Sequence, residues 1–234
     1  MPTEHRLPSI SRSELSRRVE LVRTRLRELD AGALVVFGCD NDLAGYLRWL
    51  TDSALFYRRI VVVHRDDLMT VVEHGAAGEH RKLDGEQSGY VGVGDVYSVS
   101  TFPSVPFTQG YEARIVADVL RRHGCGRIAV INGGGMPSGF FNTLDQDGTI
   151  EVIDDSEFFD GAKAVKSEEE QTRIRAAACL QDEVFAAVLS QAKVGMRDLE
   201  VSALGEYEAR RRGGHFGIIL TGSASRMRGR STRS

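Results

Sequence analysis

Between residues 13 and 30, Leu15, Val19, Val22, Leu26 and Leu29 recur at intervals of three and four. That spacing predicts an amphipathic helix lying on a sheet, ended by Ala31-Gly32. The pattern then changes to short apolar runs. Residues 33–37, ALVVF, predict a buried strand. Residues 40–52 predict a short helix or turn carrying Tyr46 and Trp49. Residues 59–64 and 68–73 predict a hairpin that turns at Asp66-Asp67. Loop, with one helical turn, is expected over 75–89. Strands are expected over 95–99, 127–131 and 149–153, and helices over 111–123 and 137–144, the first with Ile115, Val119 and Leu120 inward. Strands alternating with helices around one hairpin imply a mixed sheet covered by helices, an α/β layer domain.

The longest helical signal follows, in 161–196. Ser167 and Glu170 have the spacing of a capping box, in which a hydroxyl accepts from a backbone N–H and a carboxylate reaches back to the cap. Glu168, Glu169 and Glu170 crowd the first turn, where the helix dipole favours negative charge. Ile174, Ala178, Phe185 and Leu189 lie at helical spacing, Lys193 stands near the end, and Gly195 is a stop. A second helix is expected over about 198–212, closed by Gly213-Gly214, and a strand over 215–220. Residues 223–234 carry four arginines, no acid and Met227 as their one large apolar residue. Such a segment buries nothing and is expected to be disordered. The organisation expected is an arm at 1–12, a first domain at 13–160, the opening of a second at 161–222, and an Arg-rich tail at 223–234.

Composition narrows the function classes. With 41% hydrophobic residues the 234-residue chain can build a real core, and 30 basic against 33 acidic residues suggest neither nucleic acid nor a membrane surface as partner. There is no apolar run of membrane-spanning length and no apolar core of a signal peptide near the N-terminus. Cys39, Cys125 and Cys179 are odd in number and far apart, which fits free thiols in a reducing compartment. A cytoplasmic protein is expected.

Candidate chemistry is sparse. Residues 133–139, GGGMPSG, follow a strand but lack the Lys-Ser/Thr of a phosphate loop and the spacing of a dinucleotide fingerprint, so they read as a glycine-rich turn. His5, His64, His74, His80, His123 and His215 include no pair at metal-binding helical spacing. His74 and His80, beside Glu73 and Glu79, read as solvated loop residues. His64 falls at the hairpin turn and His123 near a helix C-terminus, where positive charge is favoured. Asp40, Asp42, Asp52, Asp66 and Asp67 occupy turn positions. Phe56, Tyr57, Arg58 and Arg59 lead into the second strand; an arginine fork there can grip a carboxylate or lie on a solvated strand edge.

Three segments carry a resemblance. Residues 163–178 read KAVKSEEEQTRIRAAA, residues 193–200 read KVGMRDLE, and residues 46–52 read YLRWLTD ahead of the hairpin. The first two resemble the openings of the two leading catalytic-domain helices in the creatinase / Xaa-Pro aminopeptidase (aminopeptidase P) family of pita-bread metallohydrolases. The third resembles their creatinase-type N-terminal domain. The resemblance covers essentially residues 12–222. It implies a mixed-sheet α/β N-terminal domain with ribonuclease H-like layers, followed by the start of an α+β pita-bread catalytic domain. It also implies metal-dependent hydrolysis of a peptide or small C–N substrate, using two divalent ions (Mn, Co or Zn).

The same resemblance marks a departure. Family members bind their metals through two Asp, one His and two Glu on strands beyond the two helices, and His215 matches none of them. The creatinase branch works without metal, through a histidine of that same later half. The chain is therefore expected to be a truncated or frameshifted form, inactive as written, with no catalytic residue, no metal ligand and no bound cofactor of its own. One role carries over: Phe56 and Arg58 match a Phe-x-Arg segment that contacts substrate in a partner subunit's active site. A homodimer through the N-terminal domain is implied, with peptide or small-molecule substrate only in a full-length relative, and neither nucleic acid nor membrane as partner. The alternative is a non-catalytic dimerisation or protein-binding module, and contact of the Arg tail with nucleic acid ranks last.

Overall fold

The computed structural model describes residues 8–39, 45–53, 58–75, 78–100, 110–144 and 148–214. Its backbone contacts divide the chain into two compact units, one formed by Ile10–Val165 and the other containing the residues from Lys166 onward.

The first unit is a mixed α/β layer structure. Helix α1 (Arg12–Glu28) is followed by β1 (Ala33–Cys39), the short α2 (Tyr46–Thr51), β2 (Arg58–His64) and β3 (Met69–His74). Then come β4 (His80–Lys82), β5 (Val93–Val99), α3 (Tyr111–Arg122), β6 (Arg127–Ile131), α4 (Ser138–Leu144), β7 (Glu151–Asp154) and α5 (Ser156–Ala164). The seven strands form one sheet in the order β4-β5-β3-β2-β1-β6-β7. Strands β1, β3, β5, β6 and β7 run parallel to one another, while β2 is antiparallel to both β1 and β3, and β4 is antiparallel to β5.

Side-chain alternation along the central strands builds a core on each face of this sheet. Leu34 and Val36 of β1, Val61 and Val63 of β2, and Ala129 and Ile131 of β6 point to one face. There they meet Val22 and Leu26 of α1, Leu47 and Leu50 of α2 and Phe159 of α5. Their neighbours Ala33, Val35, Ile60, Val62, Ile128 and Val130 point to the other face, onto Val116 and Leu120 of α3 and Phe140 and Leu144 of α4. Burial on both sides explains why these strands read as continuous apolar runs.

Local chemistry sets the element ends. Helix α1 begins one residue before the expected Ser13, capped by Ser11, whose hydroxyl accepts from the Glu14 N–H at 3.1 Å. The loop expected over 75–89 contains an edge strand, β4, whose His-Arg-Lys sequence has no apolar side chain. Charged side chains of this kind are typical of protected sheet edges. Helix α5 carries the first unit on to Val165 and is tied back to α1 by a bidentate contact, in which the Arg25 guanidinium donates to both Asp155 carboxylate oxygens at 2.9 Å.

In the second unit the described elements are α6 (Glu168–Gln191) and α7 (Asp198–Arg211). The capping box is present: the Ser167 N–H donates to Glu170 Oε2 at 2.8 Å, and the Ser167 hydroxyl accepts from the Glu170 N–H at 3.3 Å. The two helices are joined through Glu208, buried between them, which accepts from Gln191 Nε2 at 3.1 Å and from Arg211 Nε at 2.8 Å. The apolar positions that recur at helical spacing along α6 form an uncovered stripe. Ile174, Phe185 and Leu189 are 52%, 64% and 63% exposed, and Ala178 is exposed as well. Helix stability comes mainly from packing an apolar face, so α6 and α7 are held weakly. Hydrogen exchange is expected to show their amides exchanging faster than those of β1, β2 and β6, and equal protection would contradict this. The expected strand at 215–220 and the tail at 223–234 lie outside the described residues.

Candidate functional site

The parallel strands place a polar cluster at one end of the sheet. Arg58 is the first residue of β2 and pairs with Cys39, the last of β1. His74 is the last residue of β3, and Glu112 lies in the first turn of α3. All three therefore meet at the C-terminal end of the parallel strands. His74 Nε2 hydrogen-bonds Glu112 Oε1 at 2.8 Å, and Arg58 Nη1 stands 3.8 Å from Glu112 Oε2. Arg58 is 8% exposed and Glu112 3%, with the His74 side chain at 2%. Charges so far removed from water persist only when paired, and here the carboxylate is held from two sides.

Beside this cluster lies a cavity of about 390 Å³ lined by Phe37, Arg58, Glu112, Ala113, Pro137 and Phe140, with Gly110, Ser138 and Gly139 completing it. The Phe37 and Phe140 rings form an apolar wall, tilted at 59° with centroids 5.3 Å apart. The position follows from topology. From β1 the chain winds to one side through β2, β3 and β5, then crosses by way of α3 to β6 on β1's other side. Phe37 comes from β1, and Pro137 and Phe140 follow β6. The crevice between adjacent parallel strands whose connections depart in opposite directions is where open α/β sheets bind ligands.

Of the residues singled out in the sequence, Arg58 lies in this site, and it is buried there instead of lying on a solvated edge. Phe56 lies outside the described residues. His74, expected in a solvated loop, is a strand residue with a buried side chain, because β3 runs one residue past the apolar pattern. His80 belongs to β4, partly exposed, with Nε2 2.6 Å from Asp95 Oδ1 and its ring stacked on Tyr97. The glycine-rich turn holds a short 3-10 helix, Gly133–Gly135, and the Gly133 N–H donates to the chain's own Asp154 carboxylate at 3.1 Å. Cys125 is a buried free thiol and Cys179 an exposed one. Sequence reasoning missed Glu112; its signal was a carboxylate in the first turn of a helix whose apolar face was already recognised.

His64, expected at the turn, is a buried residue of β2, 2% exposed. Its Nε2 lies 3.0 Å from the Thr70 hydroxyl, and its ring stacks on His123 with centroids 3.9 Å apart. Burial pushes its pKa down to about 4, reinforced by His123 and Arg23 and opposed by Asp67 and Asp95. The unfolded chain takes up this proton near 6.5. Stability from His64 is therefore complete above about pH 6.5 and lost as the pH falls toward 4, by at most about 3 kcal/mol. Urea unfolding followed between pH 7.5 and 4.5 should show this loss, and His64→Leu should flatten that part of the profile.

Among the described residues no group of three or more His, Cys, Asp or Glu converges to hold a metal ion. Arg58, Glu112 and His74 do not form a donor set for one, since one of the three is a guanidinium. No described helix is long and apolar enough to cross a membrane.

The sequence matches no family profile, and no curated protein is significantly similar to it. Solved structures do match the fold. The X-Pro aminopeptidase from Thermotoga maritima superposes with a TM-score of 0.62 at 15% identity, over 84% of this chain and 49% of its own. A prolidase from Thermococcus sibiricus gives 0.63 at 15% identity, over 88% and 52%. The Xaa-Pro dipeptidase from Bacillus anthracis gives 0.56 at 16%, over 85% and 49%. The chain thus has the fold of Xaa-Pro aminopeptidase and prolidase structures and spans about half the length of these three.

Proposed function

We propose that these 234 residues correspond to the N-terminal domain and the opening of the catalytic domain of a creatinase / Xaa-Pro aminopeptidase-like hydrolase acting on a peptide or small C–N substrate. The observation that supports this most is the superposition over 84–88% of the chain on enzymes of that kind. The capping box at Ser167, which opens α6 where the resembling segment predicts a helix, agrees with it.

The metal-binding residues that the resemblance calls for would lie on strands after α7. A two-metal hydrolase needs several fixed ligands to hold its ions and lower the pKa of the attacking water. On this reading the attacking water is activated by residues other than those described, and the 234-residue polypeptide is expected to show no turnover. Within a longer protein, the first unit would serve dimerisation, and Phe56 and Arg58 would contact substrate bound to a second subunit. Arg58 would do so through the mouth of its cavity, where Ser138 and Gly139 are exposed. The test is a peptidase assay of the purified chain on an Xaa-Pro dipeptide with Mn, Co or Zn added. No turnover is expected. Clear metal-dependent turnover would overturn the claim of inactivity, and a monomer by sedimentation would remove the dimer.

A further inference from the structure

The cavity beside Arg58 and Glu112 has a chemistry of its own, independent of the hydrolase reading. Its polar wall carries one cation and one anion, both more than nine-tenths buried. The pair stands 3.8 Å apart, outside ordinary hydrogen-bonding distance. Glu112 Oε1 is engaged by His74, so Oε2 is the oxygen turned toward Arg58. The Phe37 and Phe140 rings supply an apolar surface in the same cavity. At about 390 Å³ the space falls at the small end of ligand pockets, which run from roughly 300 to 1,000 Å³.

The geometry points to a binding site for a free α-amino acid zwitterion with an apolar side chain. The ligand carboxylate is gripped by the Arg58 guanidinium, whose planar fork suits bidentate contact. The ligand ammonium donates to Glu112 Oε2, and the side chain lies against Phe37 and Phe140. A simple anion is disfavoured, because the Glu112 carboxylate would face it at close range in a water-poor wall; a simple cation meets the Arg58 charge in the same way. A zwitterion matches both charges and adds no net charge to the site.

The probe is L-leucine, titrated into the unaltered 234-residue chain and followed by the backbone amide shifts of Ala113 and Phe140. Saturation is expected with a dissociation constant of about 1 mM or tighter. 4-Methylpentanoate, which lacks the ammonium, and 3-methylbutylamine, which lacks the carboxylate, should each bind at least about tenfold more weakly. Arg58→Lys, checked for folding by Trp49 fluorescence, should weaken leucine binding by about tenfold or more, since a point charge cannot replace the fork. The proposal is overturned if leucine produces no saturable shift, or if either half-analogue binds as well as leucine. These comparisons use the unaltered chain, so they decide the matter even where a variant fails to fold.

Discussion

Arg18→Ala is expected to lower the stability of the first unit by roughly 3–5 kcal/mol, the usual consequence of removing one partner from a buried ion pair. Arg18 is 2% exposed, although it sits on a surface helix. Its Nε donates to Glu14 Oε1 at 2.8 Å, its Nη1 donates to the Trp49 carbonyl at 2.7 Å, and its guanidinium lies over the Trp49 ring. One side chain thus connects α1 to α2. Alanine would leave Glu14 buried with Arg17 alone and the Trp49 carbonyl without this donor. Trp49 is the sole tryptophan and belongs to the core, so its fluorescence in urea reports the loss directly. The double variant Glu14→Leu/Arg18→Leu should cost less than Arg18→Ala, because replacing both members of a buried pair leaves no charge stranded. A loss below about 1 kcal/mol for Arg18→Ala would place the pair with ordinary surface salt bridges and refute the argument.

Glu14 also titrates in a predictable direction. Its hydrogen bond from Arg17 lowers its pKa most, against the opposing effect of burial and with further help from Arg18, to about 2 from an ordinary 4.5. A depressed carboxylate contributes stability that is complete above about pH 4.5 and lost as the pH falls toward 2. Arg18→Ala should reduce that acid-side slope.

Glu112→Ala should be of similar size, roughly 3–5 kcal/mol, against a total of about 5–15 kcal/mol for a typical domain. It removes the carboxylate that His74 and Arg58 both approach, leaving two buried polar side chains facing a cavity. For a unit of this size the melting temperature should fall by about 6–20 °C. Glu112→Gln keeps the shape and one carbonyl acceptor and should cost less. An exposed carboxylate provides the contrast: Glu20, paired with Arg27 on the surface, should tolerate alanine within about 1 kcal/mol. If Glu112→Ala proved as mild as Glu20→Ala, the Arg58–Glu112–His74 cluster would not be a held site. The amino-acid ligand proposed for it would then lose its preformed anchor.

How far the site could be read from the sequence differs residue by residue. Arg58 stood out because an aromatic-flanked arginine pair leads into an apolar strand. Glu112 and His74 lie 54 and 16 positions beyond it, and nothing local links them. Each sits at the end of an element, and only the strand order brings those ends together. His64 shows the same limit. Alone it reads as a turn residue, yet its burial comes from Thr70 across the hairpin and from His123 at the end of α3.

The α/β layering, the hairpin, the central strands, α3 and the capped α6 were determined by the sequence itself. Their periodicities and caps are short-range and follow from side-chain geometry within a few residues. The polar edge strand β4 and the extra helix α5 were not legible. The first forms because β5 offers it a ladder. The second is fixed by Phe159 in the core and by Arg25 on Asp155. The burial of Arg18, His74 and Glu112 and the cavity at the junction of β1 and β6 were decided by tertiary structure alone. Burial depends on what packs against a residue, and those partners lie tens of positions away in the chain.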